Sequence, residues 1–398
     1  MRKFWTVRYT LLNAAYFVAF CTLHAYAAVY LLSCGFTNTQ VGILLAVANI
    51  LSAVFQPFIA GIIDKPGPLT NRRFILISVS VIGAGSLALL LLPHNRIFVF
   101  IVFALIYMIQ FAYQPVMTAL CFEYNKAGCN IIYGLARGLG SASFAVTSVF
   151  IGMAVEQSGV DILMIVNIIA MAVSAVLIIT FKKPEKAAPD ATPEGNAPES
   201  GRAHNSIIEF ANTYPAFMVF LVGTIFFFFA HNMINDFMIQ IIRHLGGGEK
   251  ELGFSNFLQA ILELPVMAMI GIVLRKIKCE KLLMISGVAF FVKILILIFA
   301  GGMPMMYVSQ SFQLFAYAVF IPASAYYVNN TMEELDQVKG QAYITSAITV
   351  GGVFSNLLSG VILDNAGINA MLLTGTIVCG VGVIIAVFAM TTLKHHRT

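Results

Sequence analysis

Six ionisable side chains stand inside long apolar runs of this 398-residue chain: His24, Arg137, His231, Asp236, Glu263 and Lys293. Placing a charge in a bilayer interior costs at least about 2.5–3.5 kcal/mol on insertion scales, so such groups face a cavity or a partner. A carboxylate or an imidazole in that setting can bind and release a proton as its surroundings change. A guanidinium carries a planar fork of donors suited to hydroxyl, carboxylate or base recognition. Neutral polar residues recur beside them at helical spacing: Asn49, Ser52 and Gln56; Tyr107, Gln110 and Gln114; Asn256, Gln259 and Glu263; Gln310, Gln313 and Tyr317. Steps of three and four put each set on one side of an α-helix. The stretch "FFFFAHNMINDFMIQ" (226–240) condenses the pattern, with Asn232, Asp236 and Gln240 in line and His231 and Asn235 beside them. Amides and phenols pair with hydroxyls without stranding charge, so these faces suit a neutral, hydroxyl-rich solute. Plainer roles exist for several of these groups. Arg137 could neutralise Glu123, Glu263 could satisfy backbone groups freed by Pro265, and His231 could simply bond a neighbouring helix.

The elements that must hold these residues are membrane helices. The chain is 59% hydrophobic and 10% charged, too little charge to cover a soluble protein of this size. Apolar runs of bilayer length recur along almost the whole sequence, and the short alternating segments of a membrane barrel are absent. Helices are expected at 9–33, 40–63, 74–93, 97–119, 132–155, 160–181, 213–242, 251–274, 282–300, 303–327, 342–363 and 369–392. The polar stretch "KKPEKAAPDATPEGNAPESGRAHNS" (182–206) divides these twelve six and six and reads as a disordered linker. The expected organisation is therefore an N-terminal six-helix bundle (1–181), a cytoplasmic linker (182–209) and a C-terminal six-helix bundle (210–398). With both termini in the cytoplasm, inner tails and loops hold eighteen of the 23 Lys and Arg residues, and outer loops hold only Arg96, Arg243 and Lys250. The net charge of +5 follows from this topology and implies no nucleic-acid partner. The basic opening "MRKFWTVRYT" lacks a cleavage site and reads as a tail before the first helix. Six scattered cysteines lack metal-ligand spacing and read as small apolar fillers.

The two halves echo each other. "NILSAVFQPFIAGIIDK" (49–65) lines up with "AILELPVMAMIGIVLRK" (260–276), "FAY" recurs at 111–113 and 315–317, and "GLAR" (134–137) matches "GQAY" (340–343) in position. Paired six-helix repeats with a site near the midplane are a transporter architecture. "GIIDKPGPLTNRR" (61–73) resembles the loop signature of the major facilitator superfamily, with Asp64, Lys65, Gly67, Arg72 and Arg73 at the matching positions and a small insertion before the arginines. The resemblance implies a cytoplasmic latch formed by those five residues. Within the superfamily the chain looks most like the lactose permease and nucleoside–proton symporter branch. "GLARGLGSASFA" (134–145) resembles a permease run that puts Arg137 on a substrate-binding arginine and Phe144 on a stacking aromatic. Lys293 falls on a helix-9 arginine used in proton coupling, and Asp236 near a helix-7 aspartate. The sequence departs from the permease where Ala119 replaces its sugar-binding glutamate, and where Gln310, Gln313 and Ala316 replace three charged helix-10 residues. The galactoside mechanism therefore does not carry over residue by residue.

Together these readings give an all-α polytopic membrane protein of twelve transmembrane helices in two pseudo-symmetric bundles. It is expected to be a secondary active transporter moving a sugar, oligosaccharide or nucleoside by proton-coupled symport. His24, Tyr26, Gln110, Gln114, Arg137, Phe144, Asn232, Gln310 and Gln313 are the expected solute contacts, and His231, Asp236, Glu263 and Lys293 the expected proton-coupling set. No cofactor or metal is expected. The partners are a small solute, protons and the lipid bilayer, with the chain working as a monomer in a bacterial inner membrane. A drug or metabolite exporter, or a non-transporting receptor of the same fold, are the rival readings. No nucleotide-binding loop or hydrolase motif points to an enzyme.

Overall fold

The computed structural model of the chain describes residues 2–63, 67–92, 95–182 and 207–392. Among the described residues the regular structure is all helical. The first part of the chain forms α1 (Arg2–Phe20), a π-helical turn (Cys21–Ala25), α2 (Ala27–Ser33), α3 (Asn38–Ile63), α4 (Asn71–Leu91), α5 (Arg96–Lys126), α6 (Tyr133–Ser158) and α7 (Asp161–Thr180). The rest forms α8 (Ile207–Thr213), α9 (Pro215–Asp236), α10 (Met238–His244), α11 (Glu249–Leu274), α12 (Cys279–Ile298), α13 (Met303–Ser311), a 3-10 turn (Phe312–Leu314), α14 (Tyr317–Thr331) and α15 (Glu334–Thr392). Helix starts follow from local chemistry: Thr70 accepts a bond from the Arg73 N–H, and Asn95 one from the Ile97 N–H at 2.9 Å. Among the described residues nine helices are long and apolar enough to cross a membrane, or ten if the bent pair at α1 and α2 is one span. The 59-residue α15 is broken at Gly367 (φ 79°), between the stretches expected at 342–363 and 369–392.

Three expected helices are interrupted where the sequence gives no glycine or proline to announce it. The first, expected unbroken over 9–33, carries the π turn and then a non-helical Tyr26 (φ −109°, ψ 15°), with a 50° bend between its two parts. The seventh, expected over 213–242, breaks at Phe237 (φ −113°, ψ 25°). The tenth, expected over 303–327, passes through the 3-10 turn and Ala316 (φ −81°, ψ −93°) before it resumes. The even spacing of Gln310, Gln313 and Tyr317 is thus not a regular helical stripe. Extra or missing residues per turn re-aim side chains, and such breaks recur at functional sites.

The chain gathers into two compact units. The first consists of Met1–Ala187, Asp236–Ile261 and Asn356–Asp364. In it α1 packs on α6 and α7, α4 on α5 and α7, and α3 on α5. Buried phenols tie these helices to backbone carbonyls: Tyr9 Oη donates to Met117 at 3.0 Å, Tyr16 to Gln110 at 3.2 Å and Tyr26 to Ser148 at 2.8 Å. Asn167 of α7 donates to the Ala19 carbonyl and to Thr22 Oγ1, both at 3.1 Å, and accepts from Ser86 of α4 at 3.1 Å. Such side-chain bonds hold helices together where lipid supplies no hydrophobic drive. α6 and α11 meet backbone to backbone: a Cβ on Gly152 would stand 2.4 Å from the Glu249 carbonyl oxygen, and one on Gly253 2.2 Å from that of Ser148. The second unit consists of Ala188–Asn235, Leu262–Ser355 and Asn365–Thr398, with α12 packed on α13 and α14. Phe227, Phe228 and Phe229 are buried in its core, so the phenylalanine run serves packing more than lipid contact. Large apolar side chains such as Phe58, Ile97, Phe150 and Ile384 lie exposed, as on a protein embedded in lipid.

Candidate functional site

In the first unit the π turn delivers His24 into an aromatic cage. Its ring stacks on Phe20 (centroids 4.2 Å apart, 14° between planes) and meets Tyr107 at 3.8 Å and Phe111 at 4.4 Å. Its ring nitrogens have no hydrogen-bond partner among the described residues other than the neighbouring Gln110 amide. Gln110 is fully buried beside the imidazole, and its amide has no other partner among the described residues. Phe144 reaches the same cluster through Phe20 (6.2 Å). Arg137 stands one ring further along, its guanidinium 4.5 Å from the centre of Phe17 and donating to Ser141 Oγ at 2.7 Å. Glu123 instead accepts from Asn71 Nδ2 at 3.0 Å. Tyr26 is buried with its hydroxyl given to Ser148, so it acts in packing α6. Gln114 is half-buried one turn from Gln110.

Asp236, also in the first unit, ends α9 at the break before Phe237. It is half-buried and lies near Asn356 and Tyr107. Asn356 is fully buried on α15, and its amide has no partner among the described residues other than Asp236, while the hydroxyl of Ser359 one turn on has none among them. Gln240 on α10 donates to Asn38 Oδ1 at 2.9 Å. The sequence pattern did not single out Asn356, because an asparagine among small residues gives no charge signal.

The second unit holds a linear polar chain. Lys293, with no exposed surface, donates from Nζ to Gln313 Oε1 at 2.8 Å, and Gln313 Nε2 donates to Glu263 Oε1 at 2.9 Å. Ser309 Oγ donates to the Lys293 carbonyl at 2.6 Å. The 3-10 turn puts Gln313 there, where a regular helix would turn it elsewhere. Gln310 is buried with Nε2 on Met306 Sδ at 3.6 Å, and its Oε1 is unpartnered among the described residues. His231 stacks on Tyr317 (5.2 Å, 12°), meets Phe228 and Phe290 edge-on, and lies 2.9 Å from Asn235 Nδ2 through its Nε2. Asn232 packs against Gly352, whose added Cβ would stand 2.8 Å from its Nδ2.

Of the latch residues, Asp64 and Lys65 lie outside the described residues. Gly67 is exposed in the turn before α4. Arg72 donates from Nε to the Ile178 carbonyl at 2.9 Å and from Nη2 to that of Ile179 at 2.7 Å, while Arg73 Nη1 donates to Pro68 at 2.5 Å. Arg8 adds a bond to Thr180 at 3.1 Å. Two cations thus satisfy the carbonyls at the C-terminus of α7, where the helix dipole favours positive charge. No group of metal-ligating residues is found among the described residues.

A model of the MFS_1-like family matches residues 8–373. An uncharacterized transporter, YwbF, of Bacillus subtilis (strain 168) is 23% identical over 365 residues, 91% of this chain and 87% of that protein. A solved structure of the nucleoside transporter NupG (D323A mutant) superposes with a TM-score of 0.79 at 14% identity, covering 98% of this chain and all of that one. An auto-inhibited peptide transporter of the POT family gives 0.75 at 10% identity over 99% and 98% of the two chains. A bacterial homologue of the human lysosomal transporter Spinster gives 0.65 at 14% identity over 98% and 93%. The structural likenesses establish the fold, and the family match covers nearly the whole chain. The chain belongs to the MFS_1-like family of the major facilitator superfamily, and is an integral membrane transporter rather than an enzyme.

Proposed function

We propose that the protein is a secondary active transporter that moves a small, uncharged, hydrogen-bonding solute of the nucleoside or oligosaccharide class by alternating access, with proton symport. The observation that carries this reading is the buried pair His24 and Gln110, whose side-chain nitrogen and oxygen atoms have at most each other as partners among the described residues, inside a ring of Phe20, Tyr107 and Phe111. Each buried unpaired group costs about 1–3 kcal/mol, a burden kept where a ligand supplies the missing bond. An amide beside an imidazole offers both a donor and acceptors, and the surrounding rings offer flat apolar faces. That combination suits a sugar or a nucleobase. The NupG likeness points the same way.

Proton coupling is assigned to Glu263, Gln313 and Lys293, with Asp236 and His231 as further carriers. Arg137, Phe144, Asn232 and Gln310 are assigned to the solute path. The bundles 1–181 and 210–398 rock about the linker, with both termini cytoplasmic, in a bacterial inner membrane and as a monomer. A thermal-shift screen of purified protein against nucleosides, sugars and organic acids tests the assignment. A nucleoside or sugar should raise the melting temperature of the parent. Gln110→Leu should abolish that rise while the ligand-free protein still folds, since the Gln110 carbonyl that accepts from Tyr16 is kept. A rise that survives in Gln110→Leu would show that this pair does not bind the solute.

A further inference from the structure

The first turn of α3 carries its own cap and then more. Thr37 and Gln40 form a capping box, the Gln40 N–H donating to Thr37 Oγ1 at 3.3 Å and the Thr37 N–H to Gln40 Oε1 at 3.1 Å. Two further N–H groups at this helix start, those of Asn38 and Thr39, have no acceptor within the helix. Both donate to the carboxylate of Asp364 on α15, at 3.2 Å to Oδ1 and 2.7 Å to Oδ2, and Asn38 Nδ2 adds a bond to Oδ1 at 2.9 Å. One carboxylate, 326 positions away in sequence, therefore completes the N-terminus of α3. Anions are favoured there by the helix dipole.

The backbones beside it are in contact. Thr39 Oγ1 donates to the Gly360 carbonyl at 3.3 Å, and added Cβ atoms on Gly360 and Gly42 would stand 2.4 Å from the Asn38 oxygen and 2.1 Å from the Asn356 oxygen. Asn38 also accepts from Gln240 of α10, so α3, α10 and α15 meet at one amide. All these residues belong to the first compact unit. The contact is also suited to breaking. Asp364 is exposed, so water can replace its partners, and the capping box keeps α3 started when the carboxylate leaves.

The sequence around Asp364 repeats an earlier pattern. "ILDNAG" (362–367) follows the pattern of "IIDKPG" (62–67), with the aspartate three residues before a glycine. In a twelve-span chain the second span ends on the side of the termini and the eleventh on the opposite side. We propose that Asp364 is a gating residue of the transport cycle, a reversible latch that closes the end opposite the termini by capping α3, as a counterpart to the Asp64 loop. The inference rests on the alternating-access reading above.

Spin labels at Ile43→Cys and Leu358→Cys, both exposed and on the two latched helices, report the closure in proteoliposomes, with Cys34→Ser removing the half-buried native thiol. The parent should show a dominant short distance. Asp364→Ala should move population to a longer distance, changing the ratio by at least about three-fold, the effect of losing a helix cap. Asp364→Glu should recover part of the short population, which a loss of folding would not. If Asp364→Ala is not obtained folded, Asn38→Ala should give the same shift. Superimposable distributions in parent and variant would overturn the latch, even with solute transport intact. A shift in Asp364→Ala in a protein that binds no screened solute would support the latch and defeat the solute assignment alone.

Discussion

Gln313 is the residue on which the proposed proton coupling turns. A side-chain amide is neutral, yet it can accept from an ammonium with its oxygen and donate to a carboxylate with its nitrogen. It does both, to Lys293 and to Glu263. The orientation of the amide therefore reports the charge on Glu263: a protonated carboxyl becomes a donor, and the amide loses its best acceptor. Glu263→Gln should leave exchange of solute across the membrane intact, because a neutral side chain still bonds Gln313. It should abolish uphill uptake, because no proton can be carried at that position. Counterflow and gradient-driven uptake in proteoliposomes separate the two, and normal accumulation in the variant would remove Glu263 from the proton path. The sequence marked Glu263 and Lys293 as costly charges in apolar runs. It put Gln313 on the solute path, because only the 3-10 turn puts that amide between the two charges, and turn type has no hydropathy signature.

At the scale of elements, hydropathy made the helical stretches legible, and their breaks stayed hidden. The π turn that carries His24 and the break after Asp236 lie in runs without proline or glycine, so nothing in local propensity foretells them. Both breaks occur in the first long helix of their half, and both present an ionisable side chain. The close approach of α6 and α11 was hidden for another reason: a glycine in a membrane helix shows its partner only after packing. Gly253→Ala adds a methyl that would sit 2.2 Å from the Ser148 oxygen and 2.9 Å from the Tyr26 hydroxyl. Backbone must move to admit it, at a cost of about 1–3 kcal/mol. The control is Gly138→Ala in α6, where an added Cβ meets nothing within 4 Å. Thermal unfolding in detergent should show Gly253→Ala several degrees below the parent and Gly138→Ala at or above it. Equal melting temperatures for the two would mean that α6 and α11 do not meet at this glycine in the working protein.

For the whole molecule, composition alone established the class: a chain with 10% charged residues cannot clothe a soluble surface of this size. The 6+6 pattern and the loop signature led to the superfamily, because both are periodic features of the covalent sequence. Which segments of the second half join the first unit was not legible, since Asp236–Ile261 and Asn356–Asp364 are recruited by tertiary packing between segments far apart in sequence. Orientation rests on charge. On the proposed twelve-span topology, eighteen of 23 Lys and Arg residues fall in tails and loops on the side of the termini, against three on the other. Moving even a few Lys or Arg residues across the bilayer during insertion is costly enough that such bias sets topology. A fluorescent-protein fusion after Thr398 should therefore fold and fluoresce, and an alkaline phosphatase fusion at the same point should be inactive. A cysteine in place of Gly247, in the turn between α10 and α11, should react with a membrane-impermeant maleimide added to intact cells. An active phosphatase fusion, with Gly247→Cys protected, would invert the protein in the membrane. The Asp364 contact would then close the cytoplasmic end rather than the outer one.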